Sequence, residues 1–170
     1  FVFELSKLMN ISEKSFLKSI QSFKGLEHRF EIFMKKKNFT FINDSKATTC
    51  EAATSAISSL KNIFWILGGL PKKGDKINLL NYKENIIKCY IIGESVNFFK
   101  NQIEGKVSFS ISKTLENAII QITKDYKFYK KKKCSILLSP AAASFDQFKN
   151  FEIRGTQFKK LSKKYARKFI

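Results

Sequence analysis

Disulfide frameworks, structural zinc sites and the common nucleophilic triads all depend on residues that this chain barely contains. Its three cysteines, Cys50, Cys89 and Cys134, are odd in number and form no CxxC pair, and His28 is its one histidine. This argues against a disulfide scaffold or a Cys/His zinc cluster. It also leaves no spare partner for a Ser/His/Asp or Cys/His arrangement. A reducing cytoplasm is the expected compartment. No apolar run approaches the roughly 20 residues that span a bilayer. The best runs, residues 63–70 and 135–144, read as buried strands. Neither a GxGxxG dinucleotide loop nor a GxxxxGK[ST] phosphate loop occurs. No signal peptide is visible, and the first residue is Phe1 rather than Met. The chain is therefore expected to be a piece of a longer protein or a processed product.

Arginine is scarce as well. Arg29, Arg154 and Arg167 stand against 29 lysines in a chain of net charge +18. Nucleic-acid binders favour Arg for bidentate contacts to bases and phosphates. Lys, Phe, Ile and Asn, all abundant here, share A/T-rich codons, so base composition accounts for much of the charge. No nucleic-acid partner and no membrane insertion are expected. The lysine runs 35–37 and 130–133 lie between apolar segments and read as solvated turns.

What the chain does have is length and apolar content. Its 170 residues are 44% hydrophobic, enough for one domain with a sizeable core and a short piece of a neighbour. Residues 1–9 and 12–23 carry helical spacing, with Ser12 as N-cap, Glu13 in the first turn and Gly25 as the stop. Apolar runs 30–34 and 39–42 suggest a hairpin or two successive strands. Strands then alternate with helices. Strands are expected at 63–67, 89–92, 107–111 and 135–138. Helices are expected from Thr48 to about Leu60, at 95–102 and 114–126, near 146–150, and from about Gly155 to Lys168. The alternation predicts right-handed crossovers and an α/β, Rossmann-like three-layer fold with a mostly parallel sheet.

In such sheets, ligands bind at the carboxyl ends of strands. Three polar clusters fall there: Asn43-Asp44-Ser45-Lys46-Ala47-Thr48-Thr49, Gly68-Gly69-Leu70-Pro71-Lys72-Lys73-Gly74-Asp75, and Ser139-Pro140-Ala141-Ala142-Ala143-Ser144. Small residues let a ligand approach the backbone, and helix N-termini offer free N–H groups, so together they suggest an anion site. Singly, each has a plainer reading. Asn43-Asp44-Ser45 reads as a turn, Thr48 as a cap within Thr48-x-x-Glu51, and Ser144 as a cap within Ser144-x-x-Gln147. Lys72 and Lys73 read as solvated lysines, and His28 as an exposed loop residue.

As a set, those clusters resemble the Mur ligase family. They do so together with Gly25-Leu26-Glu27-His28-Arg29-Phe30-Glu31 and with the run from Leu138 through Asp146-Gln147-Phe148-Lys149-Asn150-Phe151-Glu152-x-Arg154-Gly155. The last run is most similar to members that add D-glutamate. Glu27 stands where the family commonly has Pro, and Ala142 where it often has Cys. The resemblance implies that residues 1–25 are the last helices of a central ATP-binding domain and that 26–170 are the C-terminal, amino-acid-binding domain. It implies an ATP- and Mg2+-dependent ligase that converts the carboxylate of UDP-N-acetylmuramoyl-L-alanine to an acyl phosphate for attack by the D-glutamate amine. By the same resemblance Lys72, Thr48, Ser144 and the Phe151 backbone match positions at D-glutamate. Arg29 and Asp44 match positions at the nucleotide, and Lys46 matches one facing the reaction centre. Magnesium ligands and the phosphate loop are expected in N-terminal and central domains absent from this chain, which alone is expected to be inactive and monomeric. Another Mur ligase of different amino-acid specificity, or a non-catalytic basic Rossmann-like binding module, are the competing readings.

Overall fold

A computed structural model describes residues 1–129 and 133–169. Two short helices open the chain, α1 (Val2–Leu8) and α2 (Glu13–Ser22). The Ser12 hydroxyl accepts the Ser15 N–H, so the expected cap is present. Helix α2 stops at Ser22, before Gly25, because Phe23 turns to extended backbone.

The rest of the chain builds one six-stranded sheet: β1 (Glu31–Lys36), β2 (Phe39–Asn43), β3 (Ile63–Gly68), β4 (Ile86–Ile92), β5 (Phe109–Lys113) and β6 (Cys134–Leu138). Its order is β1-β2-β6-β3-β4-β5. Among the described strands only β1 and β2 pair antiparallel; the other four strand pairings are parallel. Helices α3 (Cys50–Ser58) and α4 (Val96–Ile103) cover one face of the sheet. There Ala53, Ile57, Phe99 and Ile103 pack on Ile42, Trp65, Ile91 and Leu137. Helices α5 (Leu115–Asp125) and α6 (Phe151–Tyr165) cover the other face. There Ala118, Ile122 and Phe158 meet Phe41, Phe64, Tyr90 and Ile136. Neighbouring strand residues thus go to opposite cores, which is why β3 reads as an unbroken apolar run and is buried throughout. The expected three-layer α/β architecture is observed.

Several boundaries differ from the sequence reading. Strand β4 starts at Ile86, three residues early, because Lys88 interrupts the apolar pattern without leaving the ladder. Strand β5 is shifted to 109–113, since the Val107 N–H is taken by the Ile103 carbonyl at 3.2 Å. No helix forms at 146–150; the Ser144 carbonyl accepts from Gln147 and Phe148 in a single turn. Helix α6 instead begins at Phe151, capped by the Asn150 side chain on Ile153 N (2.8 Å). The cap of α3 is Thr49, whose hydroxyl accepts from Ala52 N, rather than Thr48. Of the lysine run 130–133, only Lys133 lies within the described residues.

Candidate functional site

The sheet order creates one switch point. The chain runs outward through β3, β4 and β5, then returns to place β6 on the other side of β3. At such a point the loops diverge and leave a crevice at the carboxyl edge. The loops after β2, β3 and β6 all emerge there. Backbone hydrogen bonds tie them: Asp44 N to the Leu138 carbonyl (2.8 Å), Gly68 N to the Pro140 carbonyl (2.9 Å), and a reciprocal pair between Leu70 and Ala143 (2.9 and 3.0 Å). Gly69 is required for that last contact, because a Cβ there would lie 2.2 Å from the Ala143 carbonyl oxygen. Asp75 closes the circuit by accepting the Cys50 N–H at the start of α3 (2.9 Å). The three sequence clusters therefore form one connected edge.

Within that edge the expected residues fall into two groups. Arg29, Asp44 and Lys46 line one shallow hollow of about 210 Å³ beside Phe30 and Ala47. Asp44 is buried. Its Oδ1 accepts from Phe30 N (3.0 Å) and its Oδ2 from Ser139 Oγ (2.7 Å). Burial pushes the Asp44 carboxyl above its ordinary value, against these two hydrogen bonds and the charge of Arg29. Arg29 itself is exposed. Lys46 is half-buried with its ammonium 3.9 Å above the centre of the Phe151 ring, a cation–π contact. Lys46 and Phe151 are thus brought together. The Phe151 carbonyl accepts from Ser45 Oγ (2.8 Å).

Thr48, Lys72 and Ser144 form the second group. Their segments converge, since Lys72 is two residues from the Leu70–Ala143 bridge and three from Asp75, and Ser144 adjoins the same bridge. Lys72 is exposed, Thr48 half-buried and Ser144 buried. None of the three side chains forms a hydrogen bond among the described residues, so none is committed to holding the fold. Cys50, at the start of α3, is no nucleophile: burial and the neighbouring Asp75 push its thiol up to about 12.

His28 is a correction. It is buried, not an exposed loop residue. The Asn43 side-chain amide lies 2.9 Å from His28 Nδ1 and donates to Glu31 Oε2 at 2.9 Å. Gly155 makes the room, because a Cβ there would lie 2.2 Å from His28 Nδ1. Burial pushes the Glu31 carboxyl up, but hydrogen bonds from His28 N, Lys159 and Asn43 outweigh it and hold it below the ordinary value. Lys159 bonds both Glu27 and Glu31. Glu27, His28 and Glu31 lie close enough to share a cation. Both Glu31 oxygens and Glu27 Oε1 already accept hydrogen bonds from Lys159, His28 N or Asn43, so the cluster does not fit Mg2+, which needs several oxygens free to coordinate it.

From the sequence, Ser45, Ser139 and Asp75 fall in the strand-end clusters and Arg154 in the last run, but none of these residues, which brace this edge, is given a role of its own. Arg154 donates to the Ser45 hydroxyl and carbonyl and to the Ala142 carbonyl. Its rarity as one of three arginines among 29 lysines was the available signal. The other three are short polar residues inside turn-like stretches and carry none.

No family model matches the chain. Individual relatives do. It is similar to a protein named "UDP-N-acetylmuramoylalanine--D-glutamate ligase" from Rhizobium meliloti (strain 1021), 43% identical over 150 residues, which is 88% of this chain and 32% of that protein. Proteins of the same name follow from Rhodopseudomonas palustris (strain HaA2), 46% identical over 142 residues, 84% of this chain and 30% of that one. Another comes from Wolbachia sp. subsp. Brugia malayi (strain TRS), 41% identical over 163 residues, 96% and 32% respectively. The chain spans about a third of the length of the curated relatives it matches.

Proposed function

The chain belongs to the Mur ligase family, and we propose that it is the C-terminal domain that delivers D-glutamate for ligation to UDP-N-acetylmuramoyl-L-alanine in peptidoglycan synthesis. The observation that carries this reading is the shared name of relatives 41–46% identical over most of the chain. That name also favours D-glutamate over the amino acid of another Mur ligase. Residues 1–25 belong with a preceding ATP-binding domain, and 26–170 are the delivering domain. The apolar side chains that α1 and α2 leave exposed support this division.

Two groups of residues suit two chemical tasks. D-Glutamate is a dicarboxylate. Lys72 supplies a cation, Thr48 and Ser144 hydroxyls, and the start of α6 at Phe151 a backbone N–H that is unengaged among the described residues; charge-assisted hydrogen bonds of this kind are the strong ones. Arg29 and Lys46 bring positive charge to the hollow shared with Asp44, which suits a nucleotide phosphate and the charge that develops on an acyl phosphate. Arg29 faces phosphate, Asp44 the nucleoside, and Lys46 the reaction centre. ATP supplies the phosphoryl group that turns the acceptor carboxylate oxygen into a leaving group. The D-glutamate amine attacks that carbonyl carbon, and the tetrahedral intermediate collapses to the amide with loss of phosphate. Magnesium ligands and the phosphate loop belong to the other domains, so this chain alone is inactive. On this reading the working enzyme is a monomer in the cytoplasm. Among the described residues no helix is long and apolar enough to cross a membrane.

The test is phosphate release by the full-length ligase that contains this domain, with UDP-N-acetylmuramoyl-L-alanine and a panel of amino acids. D-Glutamate should support turnover, while L-glutamate and L-lysine should not. Equal turnover with another amino acid overturns the specificity. Turnover by residues 1–170 alone overturns the division of labour.

A further inference from the structure

Arg154 has surroundings unusual for a buried cation. It is 1% exposed, and no carboxylate hydrogen-bonds its guanidinium among the described residues. Nε donates to Ser45 Oγ (3.0 Å), and Nη2 to the carbonyls of Ser45 (2.8 Å) and Ala142 (3.0 Å). Nη1 is buried with no partner among the described residues. Asp146 attracts it from further away, yet burial still holds the group down at about 10.

A guanidinium held by neutral oxygens, with one nitrogen unsatisfied, is a poor way to stabilise a core. Removing a charge from water is costly, and an apolar side chain of similar volume does as well or better. An apolar residue cannot, however, tie separate loops together. Through Ser45, Arg154 holds the loop that carries Lys46 and Thr48. Through Ala142 it holds the loop that carries Ser144. Ser45 Oγ also donates to the Phe151 carbonyl (2.8 Å), so the first turn of α6 joins the same knot.

We propose that Arg154 is a positioning residue for D-glutamate: it fixes the loop after β2 in register with the loop after β6, so that Thr48 and Ser144 engage one ligand. This rests on the ligase reading above. It acts through Ser45 and Ala142 and touches no substrate.

Two measurements test it. The first uses the 170-residue chain and needs no ligand. In Arg154→Met, amide resonances of residues 44–49 and 141–144 should shift or broaden together, while those of β4 and β5 stay in place. Unchanged resonances in both loops overturn the proposal. The second uses the full-length ligase. Arg154→Met should melt at or near the wild-type temperature, with the D-glutamate KM raised about tenfold or more and the ATP KM within about twofold. Arg154→Lys should recover part of the loss. Ser45→Ala, which removes the knot with little change of volume, should move the D-glutamate KM in the same direction by a smaller factor. If Arg154→Met fails to fold, Ser45→Ala decides, and an unchanged KM there overturns the proposal. A wild-type ligase indifferent to D-glutamate sinks the ligase reading, and the resonances alone then judge the register.

Discussion

Helices α2 and α5 are built to the same local recipe and meet different fates. Each has a hydroxyl N-cap, Ser12 or Thr114, an acidic residue in the first turn, Glu13 or Glu116, and a pronounced apolar stripe. Helix α5 buries Leu115, Ala118, Ile119, Ile122 and Thr123 against the sheet. Helix α2 buries nothing, and Leu17, Ile20 and Phe23 are about half or more exposed. Local sequence decides that a helix forms, but the apolar stripe stabilises it only when a second surface covers it. In the α/β body that surface is the sheet; the opening pair pack on each other, through contacts such as Phe3 against Phe16 at 5.2 Å.

The contrast should be widest for core substitutions. Trp65→Ala empties the centre of the sheet and deletes the indole bond to the Ser139 carbonyl (2.7 Å). It should cost about 3–5 kcal/mol, whereas Leu17→Ala should stay within about 0.5 kcal/mol. Equal shifts in denaturant midpoint would erase the distinction between the two regions.

Next in size is the site that the body supports. In the full-length ligase, Lys72→Ala should raise the D-glutamate KM by about one to two decades, as expected for a lost charge-assisted hydrogen bond of roughly 1.5–3 kcal/mol. Lys73→Ala should leave it unchanged. Matching behaviour of the two variants would return Lys72 to the solvated lysines.

The caps sharpen the comparison further. Thr114→Ala should lower global stability by about 1 kcal/mol. Ser12→Ala should only fray α2, reducing far-ultraviolet helicity without moving the melting of the body. A shared drop in melting temperature would mean that the two regions unfold as one unit.

The smallest effect is a dependence on acid. Glu31 is held below its ordinary value of 4.5, so its contribution is fully present above that pH and is lost as pH falls through the lower folded value. The exposed Glu4–Lys7 pair of α1 should contribute almost nothing. Melting temperature followed from pH 6 to pH 3 should fall less steeply in Glu31→Gln than in wild type, and equally in Glu4→Gln. Identical slopes in all three would remove Glu31 from the acid response.

Much of this was legible in the sequence because period and composition encode it. Continuous apolar runs gave the parallel strands, and the strand-end clusters gave the carboxyl edge. The position of β6 between β2 and β3 was not legible, since strand order is a tertiary choice that no local pattern records. Nor was the burial of His28, which depends on the missing side chain at Gly155, over a hundred residues away. The single turn at Ser144 resembled a helix start because Ser-x-x-Gln is common to both. At the site, the order of small, hydroxyl and lysine residues supplied the candidates, while the bracing by Arg154, Ser139 and Asp75 appears only once the loops are assembled.

The late arrival of β6 has a kinetic consequence. Strands β2 and β3 are neighbours in sequence, yet each pairs with a segment about 70 to 95 residues further on. Until residue 138 has been made, the hairpin β1–β2 and the unit β3–β4–β5 have no hydrogen bonds to one another across the middle of the sheet, and β2 and β3 each present an unpaired edge. A chain emerging from the ribosome therefore holds two half-sheets with sticky inner borders, the kind of exposed surface that invites aggregation. The loops after β2, β3 and β6 can be tied together only once β6 has zipped the halves, and the Arg154 brace is added only when α6 follows.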